Sequence, residues 1–258
     1  MNDVHAMTTM RPPDEELVDQ ARRLLAERFP DALGAVLAGS AAAGRATATS
    51  DLDLAVLLAD GAGTCRETIR FEGRVVELFL HTRAGLAELF AADAASRRAV
   101  IQTMYADGLV LHDPHGHVAR ARARAEDDLL DGPPPLDPEA VETRRYGLTD
   151  LLDDLADTRD RDESLAVGAA VLSLAADLLF DQSSTWSGTG KWFARQLRGA
   201  HYRLGPALLD GHRRHCETGD PALLAAAARE VLDLVGGPLS DGYRRAWQGV
   251  ITPVTGGR

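Results

Sequence analysis

Residues 39–58 read GSAAAGRATATSDLDLAVLL, and this stretch decides the fold. From position 52 the apolar residues alternate as Leu52, Leu54, Val56 and Leu58, which predicts a strand with one buried face over 52–59. Asp51 and Asp53 fall on the other face, two positions apart at the strand's start. Two carboxylates side by side repel each other, and a cation between or beside them relieves the repulsion. A hard pair of oxygen ligands with few others suits Mg²⁺, which keeps several waters and completes its shell from substrate phosphates. Just upstream, the apolar run over 32–38 predicts another strand, ending at Gly39-Ser40. Glycine there admits close backbone approach, and the amides of a helix start, with a hydroxyl, can hold phosphate oxygens.

Outward from this stretch, residues 14–29 place Leu17, Leu24, Leu25 and Phe29 near helical spacing, with Asp14 as the cap. The segment RVVELFLH, Arg74–His81, predicts a third strand, with Gly61, Gly63 and Gly73 marking the turns between strands. Residues 83–106 have helical character, and 109–112 form a short strand before the turn Asp113-Pro114-His115-Gly116. The segment DGPPPLDPE that starts at Asp131 is the one proline cluster and the natural linker. Beyond it Val141, Leu148, Leu152 and Leu155 share a helical face, and 164–181 is apolar nearly all round, as a central bundle helix would be. A further helix over 221–235 starts at Asp220-Pro221 and stops at Gly236-Gly237. The fold expected is α+β: a small mixed-sheet domain over 14–130, followed by an all-α helical bundle over 138–252.

Phosphoryl chemistry with two metals and a hydroxyl nucleophile calls for a third acid. Glu77 meets that need, on the strand face opposite Val76, Leu78 and Leu80. An unpaired carboxylate in so apolar a strand is costly, and a metal or a substrate hydroxyl would partner it. A strand, Gly-Ser, Ser-Asp-x-Asp opening a second strand, and an acid in a later strand together resemble the nucleotidyltransferase superfamily that includes DNA polymerase β. The pattern is most similar to that superfamily's small-molecule branch, the aminoglycoside nucleotidyltransferases that adenylylate streptomycin and spectinomycin. The resemblance implies that Asp51 and Asp53 hold Mg²⁺, with Glu77 beside them as metal ligand and as the base for the acceptor hydroxyl. It implies that Gly39, Ser40 and Ser50 contact a nucleoside triphosphate, with ATP the expected donor. AMP would then pass to a hydroxyl of a small-molecule acceptor and pyrophosphate would leave.

A second match lies at 185–193, TWSGTGKWF, where the family carries a Thr-Gly-Lys before a helix, its lysine reaching the nucleotide phosphates. Lys191 is the sole lysine among 28 basic residues, so a compact point charge is singled out where arginine serves elsewhere. A G-x-x-x-x-G-K-[ST] phosphate loop is excluded, because Thr185 replaces its first glycine and Trp192 follows the lysine.

The formal net charge of −11 argues against a sequence-independent grip on nucleic acid, and suits a cationic acceptor better. Cys65 and Cys216 form no paired pattern, and the polar N-terminal stretch holds no signal-peptide core, so a cytoplasmic location is expected. The apolar run over 165–180 is shorter than a bilayer crossing needs and reads as a buried helix. His112, His115 and His117 suggest solvated turn residues before a metal site, and Asp150, Asp153, Asp154 and Asp157 an acidic helix surface. Two rival readings keep the fold and change the role: a protein or tRNA end as acceptor, as in toxin–antitoxin systems, or an inactive nucleotide-binding regulator.

Overall fold

The computed structural model describes Pro12 and residues 14–245; most of the polar N-terminal stretch, and the expected domain end at 252, lie outside the described residues. The chain divides into two compact units between Pro134 and Pro135, within the proline segment.

The first unit runs α1 (Glu15–Arg28), β1 (Gly34–Ala38), the single turn α2 (Gly39–Ala42), β2 (Leu52–Leu57), β3 (Cys65–Phe71), β4 (Arg74–His81), α3 (Arg83–Ala95), α4 (Val100–Asp107), β5 (Leu109–His112) and α5 (His117–Asp131). The strands form one mixed sheet in the order β3-β4-β2-β1-β5, with β2 and β4 parallel and the other pairs antiparallel. Helix α1 starts where expected, its Asp14 carboxylate accepting from the Glu16 N–H, and packs on the face carrying Leu37, Leu52, Leu54, Val56, Val76 and Leu78. Helices α3, α4 and α5 cover the opposite face, around Val36, Ala55, Leu57, Phe90 and Tyr105.

Leu52, Leu54 and Val56 are at most 1% exposed, and each such side chain contributes roughly 1.5–3 kcal/mol by its burial. A one-residue slip of β2 would move all three to the other face and drive Asp53 into the core beneath α1, so the register is fixed.

Two elements differ from the sequence expectation. The segment between the second and third expected strands, read as turns, contains β3, an edge strand that half-exposes its alternate residues Glu67, Ile69 and Phe71. It joins β4 through the two-residue turn Glu72-Gly73, both at positive φ (47° and 81°), a hairpin geometry that glycine favours. The helix expected over 83–106 is two helices. Arg97 adopts a left-handed φ of 57° between them, and the Asp93 carboxylate turns to accept from the Ile101 N–H at 2.7 Å, opening α4.

The second unit is all helical among the described residues: α6 (Pro138–Asp157), α7 (Arg161–Gln182), α8 (Lys191–Ala200), α9 (Leu204–Thr218) and α10 (Ala222–Leu234). Asp137 caps α6 and Asp160 caps α7, each carboxylate accepting from first-turn amides. Helix α7 is longer than the apolar run suggested. Its 22 residues, with a mean hydropathy of 1.7 over the most apolar 18, would pass for a membrane span by length and composition. Val171, Ala175, Leu178 and Leu179 nevertheless sit at the centre of this unit's core, with Leu148 of α6, Leu208 of α9 and Val231 of α10. The helix reads as the core of a bundle.

Candidate functional site

Asp51, Asp53 and Glu77 converge because of strand register. Asp53 stands opposite Ala38 of β1 on one side and opposite Glu77 of β4 on the other. Asp51 precedes β2 by one residue. One carboxylate oxygen from each lies within 4.8 Å of the others, and all three residues are half-buried. Among the described residues this is the one group of three or more histidine, cysteine or acidic residues so placed. Charges at this spacing repel by roughly 1–3 kcal/mol per pair, between surface-like and water-like dielectric. The donors are all hard oxygens, a set that fits Mg²⁺ or Mn²⁺ and does not fit a soft metal.

Gly39 is required on two counts. Its φ of 67° is left-handed, and a Cβ built there would overlap the Asp53 carboxylate, reaching Cγ at 2.9 Å. The residue after β1 therefore has to be small for Asp53 to occupy its place. Ser40 follows in α2, half-buried. Ser50 precedes Asp51, and its hydroxyl is turned into the 47–50 loop, where it accepts from the Thr47 N–H at 2.9 Å and lies 3.1 Å from the Thr47 hydroxyl. The Arg74 guanidinium donates to the Ser50 carbonyl at 2.7 Å and pins this loop to β4.

Glu77 has a partner that the sequence reading missed. The Arg66 guanidinium on β3 donates to Glu77 Oε2 at 2.5 Å, with Glu77 21% and Arg66 60% exposed at the side chain. Arg66 also lies over the Phe79 ring, 5.1 Å from its centroid. The view of Glu77 as an unpaired carboxylate is corrected accordingly: β3 brings a cation to it. The signal was present in the alternation of Ile69 and Phe71 and in the Glu72-Gly73 turn, which together mark a hairpin.

A polar concavity of about 660 Å³ opens beside Ser50, lined in part by Arg23, Thr47, Arg70, Glu72 and Arg74, and includes none of the three acids. The acids, and not the concavity, are the candidate site, because among the described residues they are the group placed to share one metal ion.

The remaining candidates form no second metal group among the described residues. Lys191 is the first residue of α8, in the second unit, and is exposed. Trp186 is buried. His115 and His117 meet only edge to face, with rings 6.4 Å apart, and Arg120 contacts the His117 ring. Asp150, Asp153, Asp154 and Asp157 form an exposed face of α6.

Residues 18–97 match the family model of the nucleotidyltransferase domain. No curated protein matches the chain. Among solved structures the chain is similar to a nucleotidyltransferase-like protein from Exiguobacterium sibiricum 255-15, at 13% identity, over 84% of this chain and 74% of that one, with a TM-score of 0.44. The segment matched by the nucleotidyltransferase-domain model spans β1 to β4 and holds all three converging acids.

Proposed function

We propose that this protein transfers a nucleoside monophosphate, AMP from ATP, to a hydroxyl of a small cationic acceptor and releases pyrophosphate. The observation that carries the reading is the convergence of Asp51, Asp53 and Glu77 within a nucleotidyltransferase domain. Asp51 and Asp53 would hold Mg²⁺, which when bound offsets the charge of the triphosphate and of the departing pyrophosphate. Glu77 takes the proton from the acceptor hydroxyl. The acceptor oxygen then bonds to the α-phosphorus as the bond from that phosphorus to the β-bridging oxygen breaks. Gly39 leaves room for backbone approach, Ser40 and Ser50 donate to phosphate oxygens, and Lys191 binds the outer phosphates as a point charge.

The acceptor class rests on the resemblance to aminoglycoside-modifying enzymes and on the net charge of −11, which favours a cation over a nucleic acid. Pyrophosphate release, measured with ATP against a panel of aminoglycosides and aminocyclitols, tests it. Release with at least one cationic polyol supports the reading. Release only with tRNA or a protein acceptor would replace the acceptor class, and nucleotide binding without release on any acceptor would favour a regulator.

A further inference from the structure

We propose that Arg66 is a positioning residue that holds Glu77 away from the metal and so reserves it for the acceptor hydroxyl. The inference rests on the metal-dependent reading above and decides a point that reading leaves open, since Glu77 could serve as third ligand or as base.

Geometry supplies the case. Thr68 stands opposite Glu77 across the β3–β4 ladder, and Arg66 opposite Phe79, so Arg66 reaches Glu77 along the diagonal of one sheet face. It approaches from the edge of the sheet, the side away from Asp53, which stands opposite Glu77 on β2. Glu77 thus lies between a row of acids and a cation, and its Oε2 is taken by the cation. The guanidinium is steadied by the Phe79 ring, which suits arginine's flat, delocalised charge. A divalent ion at the aspartates competes with Arg66 for Glu77, and the fixed positive charge also repels that ion. Both effects weaken metal binding in the protein alone, and both leave Glu77 outside the innermost ligand set.

Mn²⁺ binding to the nucleotide-free protein, followed by the electron paramagnetic resonance signal of the free ion at physiological salt, tests this without any acceptor. Arg66→Ala should bind Mn²⁺ about five- to tenfold more tightly than wild type, from a charge removed a few ångströms away in a water-like medium together with the release of Glu77. Arg66→Lys, which keeps the charge, should stay within about twofold of wild type. In a Glu77→Gln background the gain from Arg66→Ala should shrink below about twofold, because Arg66 then loses its anchor and its charge is screened. Unchanged or weaker binding by Arg66→Ala, or an equal gain with and without Glu77, overturns the role of Arg66 while leaving the metal site standing. Failure of the wild type to bind Mn²⁺ would bring down the metal-dependent reading and this inference with it.

Discussion

Replacing Gly39 by alanine separates the needs of the fold from the needs of the site. At φ 67° an L-residue occupies the left-handed region, at a cost of about 1–2 kcal/mol. The added methyl would also overlap the Asp53 carboxylate, so Asp53 must swing out of its place between Ala38 and Glu77. Gly73 supplies the control. Its φ is 81°, and a Cβ there meets nothing within 4 Å, so Gly73→Ala carries the backbone strain and no collision. Both variants should lose about 1–2 kcal/mol, seen in urea unfolding by circular dichroism as a midpoint lowered by about 0.5–1 M. Only Gly39→Ala should lose Mn²⁺ affinity, by about tenfold or more, since a contact to a charged group contributes about 1.5–3 kcal/mol. Normal metal binding by Gly39→Ala, or equal losses of Mn²⁺ affinity in the two variants, would refute the packing of Gly39 against Asp53.

Further outcomes follow from the proposed reaction and from the packing of His81. Asp51→Asn and Asp53→Asn should abolish nucleotidyl transfer and leave the unfolding midpoint unchanged or raised, because each relieves repulsion among three acids; turnover assays alongside urea titrations check both. Glu77→Gln should still bind nucleotide with Mg²⁺ but lose ~10²–10⁴-fold in kcat, the usual value of a general base, as single-turnover kinetics would show. Lys191→Ala should weaken triphosphate binding by about ten- to a hundredfold and monophosphate binding far less, measured by calorimetry, because only the triphosphate carries the outer phosphates. His81 is 2% exposed and its ring nitrogens have no hydrogen-bond partner among the described residues; burial pushes its pKa down to about 4. The unfolded chain takes up this proton near pH 6.5 and the folded one only near 4, so stability should be lost as pH falls through that window, by roughly 2–3 kcal/mol. His81→Phe should flatten that dependence in urea midpoints compared between pH 7 and pH 4.5.

What the sequence made legible follows from where the signal is strong. β2 and β4 bury one face completely, so Leu52, Leu54, Val56, Val76 and Leu78 alternate cleanly, and the acids between them must share the other face. That places Asp53 and Glu77 together once the strands are neighbours, and the parallel β2–β4 pairing makes them directly opposite. β3 leaves a fainter mark for the opposite reason: an edge strand needs little burial, and CRETIRF shows charge where a central strand shows leucine, so Ile69, Phe71 and the Glu72-Gly73 turn are its whole signal. Missing β3 meant missing Arg66, and with it the ion pair that Glu77 makes. The break at Arg97 leaves no periodic mark because helical character continues on both sides, and the left-handed Arg97 and the Asp93–Ile101 hydrogen bond reveal it. The turn that holds the Ser50 hydroxyl depends on Thr47 three residues earlier, a local loop geometry that strand and helix periods do not register.

Nucleotidyl transfer at the three acids is tested most directly by supplying ATP labelled in parallel at the α- and at the γ-phosphate, with Mg²⁺ and the acceptor panel. The α label should enter the acceptor and the γ label should leave as pyrophosphate, and Asp53→Asn should do neither. Appearance of the γ label in the acceptor, or α-label transfer that Asp53→Asn performs as well as wild type, would contradict it.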